Sequence, residues 1–109
     1  MGECTDIVVV YVTASSDAEA RSIAASVVNE RLAACANILP AIRSMYWWQG
    51  RLEESVEVAL LLKTRAALVP ALTERVRALH AYECPCVVAL PVVGGNAAFL
   101  AWIRDEATA

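Results

Sequence analysis

Hydrophobic and polar positions along the chain divide it into segments of two periods. Ile7-Val8-Val9-Val10-Tyr11-Val12-Thr13 is almost continuous in β-branched and aromatic residues. That pattern predicts a strand interior to a sheet, or one covered on both faces. Ser16-Asp17-Ala18-Glu19 follows with the form of a capping box, Ser16 as N-cap and Glu19 reaching back. Ala20, Ile23, Ala24, Val27, Val28 and Leu32 then recur at helical spacing, with Glu19, Arg21, Glu30 and Arg31 on the other faces. The segment reads as an amphipathic helix.

From Asn37 to Trp48 the chain reads as extended, with Pro40 marking an edge or a bulge. Gln49-Gly50 is a tight turn, and beyond it Val56, Val58, Leu60 and Leu62 alternate with Glu57, Ala59, Leu61 and Lys63. The two runs form a long hairpin. Thr64 stands where it would cap a second helix, whose stripe is Leu68, Leu72, Val76 and Leu79. Pro70 is tolerable only in that helix's first turns. Val87 to Val92 reads as a fourth strand, and Asn96 caps a short final helix with Phe99, Leu100, Trp102 and Ile103. The order is that of a split βαβ, ferredoxin-like α+β domain (βαββαβ plus a C-terminal helix), spanning residues 1–109 as one unit.

Composition sharpens this picture in one respect. Of the 109 residues, 59% are hydrophobic and only 19% charged, against an apolar share of roughly 45–50% in ordinary domains. A chain this short buries only about two-thirds of its unfolded surface, so the surplus needs a cover. A membrane does not supply it: the uncharged stretch from Cys84 to Ile103 is broken by Pro85, Pro91 and Gly94-Gly95-Asn96. Met1-Gly2-Glu3-Cys4-Thr5-Asp6 is acidic where a signal peptide is basic, which gives a cytoplasmic expectation. The net charge is −3 and the nine basic residues are scattered, so no nucleic-acid footprint is present. Other copies of the chain remain as the cover, and the hairpin tip Tyr46-Trp47-Trp48, with Trp102, is the expected interface.

Several segments together resemble the CutA divalent-cation tolerance family, over roughly Ile7 to Ile103. They are Val12-Thr13-Ala14, Glu30-Arg31-Leu32-Ala33-Ala34-Cys35-Ala36-Asn37-Ile38, and Tyr46-Trp47-Trp48-Gln49-Gly50-Arg51. Leu61-Leu62-Lys63-Thr64, His80-Ala81-Tyr82-Glu83-Cys84-Pro85 and Ala89-Leu90-Pro91 complete the set. The resemblance implies a tight homotrimer with strands paired between subunits, and a role in divalent-metal tolerance, copper being the associated ion. It also implies that Cys35, Trp48, Lys63, His80, Tyr82 and Glu83 line a cleft between subunits. Bacterial members are credited with copper binding through a cysteine near the end of the first strand and a histidine pair after the second helix. Here Val12 stands at the first position and Leu79-His80 at the pair.

The residues themselves offer further chemistry. His80 is the one imidazole, at the end of a helix where a cation also suits the helix dipole. With Cys84-Pro85-Cys86 it spells His-x-x-x-Cys-Pro-Cys, three donors suited to copper or zinc, and alternation points both thiols to one face. His80, Cys84 and Cys86 are therefore the candidate metal ligands; two small core residues is the other reading of the cysteines. Cys35, among alanines, reads as a buried inert thiol, and Cys4 carries no assigned role. Lys63 with Glu57 fits a solvated ion pair. No nucleophile–base order and no phosphate loop marks an enzyme. The expected function is divalent-metal (copper) binding or tolerance by a homotrimer, with no cofactor required for folding. The alternatives are a trimeric anion sensor working through Lys63 and a structural scaffold trimer.

Overall fold

The computed structural model describes residues 6–109; Cys4 and the acidic start of the chain lie outside the described residues. Four strands and three helices follow one another as β1 (Ile7–Ala14), α1 (Asp17–Asn29), β2 (Cys35–Trp48), β3 (Arg51–Arg65), α2 (Val69–Leu79), β4 (Val87–Pro91) and α3 (Ala97–Glu106). The strands make one antiparallel sheet in the order β2-β3-β1-β4. β1 is interior, as its continuous apolar run requires.

Alternation along β1 sorts the core. Val8, Val10, Val12 and Ala14 join Val58, Leu60 and Leu62 of β3 beneath Ala20, Ile23, Ala24 and Val27 of α1 and Leu72 and Val76 of α2. Ile7 points the other way and packs with Leu100 and Ile103 of α3. So α1 and α2 cover one face, and α3 covers a corner of the opposite one. The rest of that second face is open: Val9, Tyr11 and Leu61 are half-buried, and Val88 and Leu90, each 49% exposed, stand opposite Tyr11 and Val9.

The hairpin outruns the rest of the sheet. β1 pairs with Val58 to Arg65 only, so residues 51–57 and their β2 partners project beyond it. Gln49 and Gly50 both have positive φ (50° and 76°), the geometry a two-residue hairpin turn demands. Along the projecting arm Met45, Trp47, Leu52 and Val56 share one face and are 59–73% exposed. Pro40 sits in the register shift between Leu39 and Ile42, where Ala41 takes φ 60°.

Both predicted caps with side-chain oxygens at the helix starts occur. Ser16 Oγ accepts from Glu19 N at 3.1 Å, and Asn96 Oδ1 accepts from Ala98 N at 3.0 Å. Thr64 is not a helix cap. It lies within β3, fully buried, and its hydroxyl donates to the Leu32 carbonyl at 2.7 Å. α2 begins five residues later, after a 3-10 turn over Ala66–Leu68, with Pro70 in its first turn and no side-chain cap. The strand continued past the expected boundary because Thr64 could pair with Val8 and satisfy its hydroxyl inside the core.

α1 ends in a way the sequence hid. Arg31 takes φ 64°, Leu32 N–H donates to Val27 O and Arg31 N–H to Val28 O, the pattern of a Schellman motif. An arginine in place of glycine is held there by its ion pair with Glu106 and by Ala109 N–H donating to its carbonyl. Leu62→Ala should cost about 2–5 kcal/mol of unfolding free energy by denaturant titration. Thr64→Val, which strands the Leu32 carbonyl, should cost about 1–3 kcal/mol.

Candidate functional site

A polar cluster occupies the end of the sheet where β1 gives way to α1, assembled from four separate segments. His80 closes α2 as its C-cap residue and turns its ring inward. Its side chain has no solvent exposure. Nε2 lies 2.6 Å from the Thr13 carbonyl, which can only accept, and Nδ1 lies 3.1 Å from the Tyr82 N–H, which can only donate. These partners fix the neutral tautomer with its proton on Nε2. Metal-bound imidazoles commonly have their other N–H tied to a backbone carbonyl in this way. Here, however, the Tyr82 amide takes the remaining lone pair.

Glu19 holds the loop that follows. One carboxylate oxygen accepts from the Ser15 amide at 2.8 Å and hydroxyl at 2.9 Å; the other accepts from the Ala81 amide at 2.7 Å and lies 3.7 Å from His80 Nδ1. Burial pushes this carboxyl up, but the hydrogen bonds from the amides of Ser15 and Ala81 and from the Ser15 hydroxyl outweigh it and leave it below the ordinary value. The predicted capping-box glutamate thus reaches back to Ser15 rather than Ser16, and its second oxygen secures a loop 62 residues away.

Beyond Ala81 the loop turns Tyr82 over the His80 ring, centroids 4.7 Å apart, and its hydroxyl donates to Glu57 Oε2 at 3.1 Å. Glu57 is 8% exposed although charged. Burial, this hydrogen bond and the charges of Glu57, Tyr46 and Glu19 push the Tyr82 hydroxyl up to about 12. Cys86 enters the same cluster: burial raises its thiol, the Thr13 side chain partly offsets that, and the charge of Glu57 adds to it. Cys86 is half-buried and Cys84 exposed, both free thiols, so neither is a core residue. Glu83 is exposed.

The remaining expected site residues lie elsewhere in the chain. Cys35, half-buried and free, pairs across the ladder with Lys63, at the level of Val9. That is four residues of β1 from Thr13, about 13 Å. Lys63 bonds Asn37 Oδ1 and lies 5.9 Å from the Phe99 ring, so it is not the partner of Glu57. Trp48 is at the hairpin tip beside Arg51, roughly 40 Å of strand from Lys63. Tyr46 is 40% exposed and bonds Ser55, Trp47 is 73% exposed, and Trp102 is 41% exposed and stacks on Phe99. Among the described residues no group of three His, Cys, Asp or Glu side chains lies close enough to hold a metal ion. One chain therefore does not close a site from His80, Cys84 and Cys86.

Sequence reasoning overlooked Thr13 and the second role of Glu19, and it put Glu57 on a solvated face. The available signal was a single acid beginning the apolar run Val58-Ala59-Leu60-Leu61-Leu62. Because the folded chain holds the Tyr82 proton more tightly than the unfolded one, this contribution is intact below about pH 10 and is lost as pH rises toward 12. A tyrosinate absorbance titration should show one late-titrating tyrosine, moved to lower pH by Glu57→Gln.

Among the described residues, no helix is long and apolar enough to cross a membrane. Residues 8–106 match the model of the family described as CutA1 divalent ion tolerance protein. The divalent-cation tolerance protein CutA of Thermus thermophilus is 50% identical over 98 residues, covering 90% of this chain and 95% of that protein. The rice chloroplastic protein CutA 1 is 46% identical over 99 residues; the match covers 91% of this chain but 56% of that longer protein. The solved structure of the Thermus thermophilus divalent cation tolerance protein superposes with a TM-score of 0.92 at 47% identity, covering 94% of this chain and 99% of that one. With residues 8–106 matched by the family model and half of the residues identical over 90% of its length to the Thermus thermophilus protein, this chain belongs to the CutA1 divalent ion tolerance family.

Proposed function

We propose that the chain serves divalent-cation tolerance as a cytoplasmic homotrimer of ferredoxin-like subunits that binds a thiophilic metal ion, copper, as cargo in a cleft between subunits. The observation that carries this reading is the half-covered sheet, on which Val88, Leu90 and Leu39 remain exposed beside a cluster ending in two free thiols. An open apolar face of that kind suits a subunit interface with Tyr46 and Trp102 at its margin, while Met45, Trp47 and Leu52 give the projecting arm a second exposed apolar surface on the opposite face. Within it, Cys84 and Cys86 supply the soft donors that copper favours. His80 joins them only if the Tyr82 amide releases Nδ1, and a second chain completes the coordination. Trp48, distant from Tyr82 and Glu83 in its own chain, reaches such a cleft from a neighbour. Free cysteines suit a reducing compartment. No step of this reading is enzymatic.

Copper titration of the chain, with the oligomer defined by sedimentation equilibrium, tests the proposal. Binding with a fixed stoichiometry per trimer, weakened at least about tenfold by Cys84→Ser or Cys86→Ser, is the expected result. A monomer at micromolar concentration, or unchanged affinity in those variants and in His80→Ala, sinks it.

One observation favours a second reading, an anion sensor. Lys63 faces the open side of the sheet with an amide, Asn37, rather than a carboxylate as its partner. A thermal-shift series with small organic anions should then raise the midpoint of the parent chain and leave Lys63→Met unmoved. A flat response in both removes the reading.

A further inference from the structure

We propose that Cys84 and Cys86 form a redox pair, in which a hydroperoxide oxidises Cys84 and Cys86 closes an intrachain disulfide with it. This goes beyond metal tolerance and does not depend on a bound ion. The two thiols differ in access: Cys84 is exposed on the loop, while Cys86 is half-buried against Thr13. A peroxide arriving from solvent meets Cys84 first.

The backbone between them is free to close. The ladder of β4 on β1 begins at Val87 opposite Val12, so Cys84, Pro85 and Cys86 lie outside it. The Pro85 ring fixes its φ near −65° and disfavours the helical region for Cys84. In polyproline-like geometry, a rise of about 3.1 Å per residue puts Cα atoms two positions apart at roughly 6 Å. That falls within the range of about 4.4–6.8 Å found across disulfides. A fully pleated strand would hold them near or past its upper limit, about 6.8 Å. Cys35 is no competitor within the chain. It is held in the β2–β3 ladder opposite Lys63, at the level of Val9, about 13 Å of strand from Thr13.

The chemistry balances with a hydroperoxide as the named oxidant. The Cys84 thiolate attacks the outer peroxide oxygen, the O–O bond breaks, and the leaving alkoxide or hydroxide takes up the thiol proton. Cys84 becomes a sulfenic acid, oxidised by two electrons. The Cys86 sulfur then attacks the Cys84 sulfur, the S–O bond breaks, and the hydroxyl leaves as water with the Cys86 proton. The sum is two thiols and one hydroperoxide giving one disulfide, one alcohol (or water) and one water. A dithiol reverses it by exchange.

The test uses the full chain, reduced and freed of metal with a chelator, then treated with hydrogen peroxide. Trypsin leaves Cys84 and Cys86 together on residues 78–104, apart from Cys4 and Cys35. The expected result is loss of two hydrogens from that peptide and protection of both its thiols from alkylation. In Cys86→Ser, dimedone should trap a sulfenic acid at Cys84; in Cys84→Ser, labelling of Cys86 should be about tenfold slower. Both variants should keep the parent circular dichroism spectrum. The proposal is overturned if Cys86 is oxidised first, if Cys84 couples instead to Cys4, Cys35 or another chain, or if both thiols survive peroxide that oxidises free cysteine. Since no metal is present, none of these outcomes bears on copper binding.

Discussion

Everything in this fold is arranged around β1, a strand bonded along both edges and apolar on both faces. β3 takes one edge and β4 the other. Its even-numbered residues from Val8 to Ala14 require the two long helices above them, and Ile7 requires α3 below. Only at Thr13 does the strand turn polar, and there the carbonyl meets His80 and the side chain meets Cys86. The cluster is thus the hydrophilic end of the strand that organises the core. Its position follows from the same register that sets the packing.

The cluster is braced from inside. Glu19 spans from the α1 start to the Ala81 amide, His80 spans from β1 to Tyr82, and Tyr82 spans from the loop to Glu57. Each contact ties the chemistry-bearing loop to an element whose position the core already fixes. The stretch from Glu83 to Cys86 lies outside both the helix and the β4 ladder, with Glu83 and Cys84 exposed and Cys86 half-buried.

Most of the fold was legible because its signals are local. Period, caps and turn residues marked the helices, the hairpin and the bulge at Pro40. Thr64 misled because a residue type that caps helices also satisfies its hydroxyl on a neighbouring carbonyl, and only tertiary structure offered Leu32. Arg31 was unreadable for the converse reason: the left-handed turn is paid for by Glu106 and Ala109, far along the chain. In the site, His80 and Tyr82 were named from composition and resemblance, and their rings do meet; Cys86 lies near Thr13 and Glu57 instead. Glu57 was misplaced because alternation assumes one solvated face, whereas here the second face is partly covered. The distances separating Trp48 and Lys63 from the loop are set by strand length, which the sequence contained but which motif reading does not measure.

The sheet order also bears on how the chain folds as it is made. β1 is synthesised before its partners, which lie at residues 58–65 and 87–91, so both its edges wait until those segments have emerged. Only β2 and β3 are neighbours in sequence, joined by a two-residue turn. Local closure is entropically cheap and fast. The long hairpin is therefore the part of the sheet that can form early and alone, and β1 adds to its β3 edge afterwards. The arm that projects from the finished subunit is then also the template on which the sheet is built.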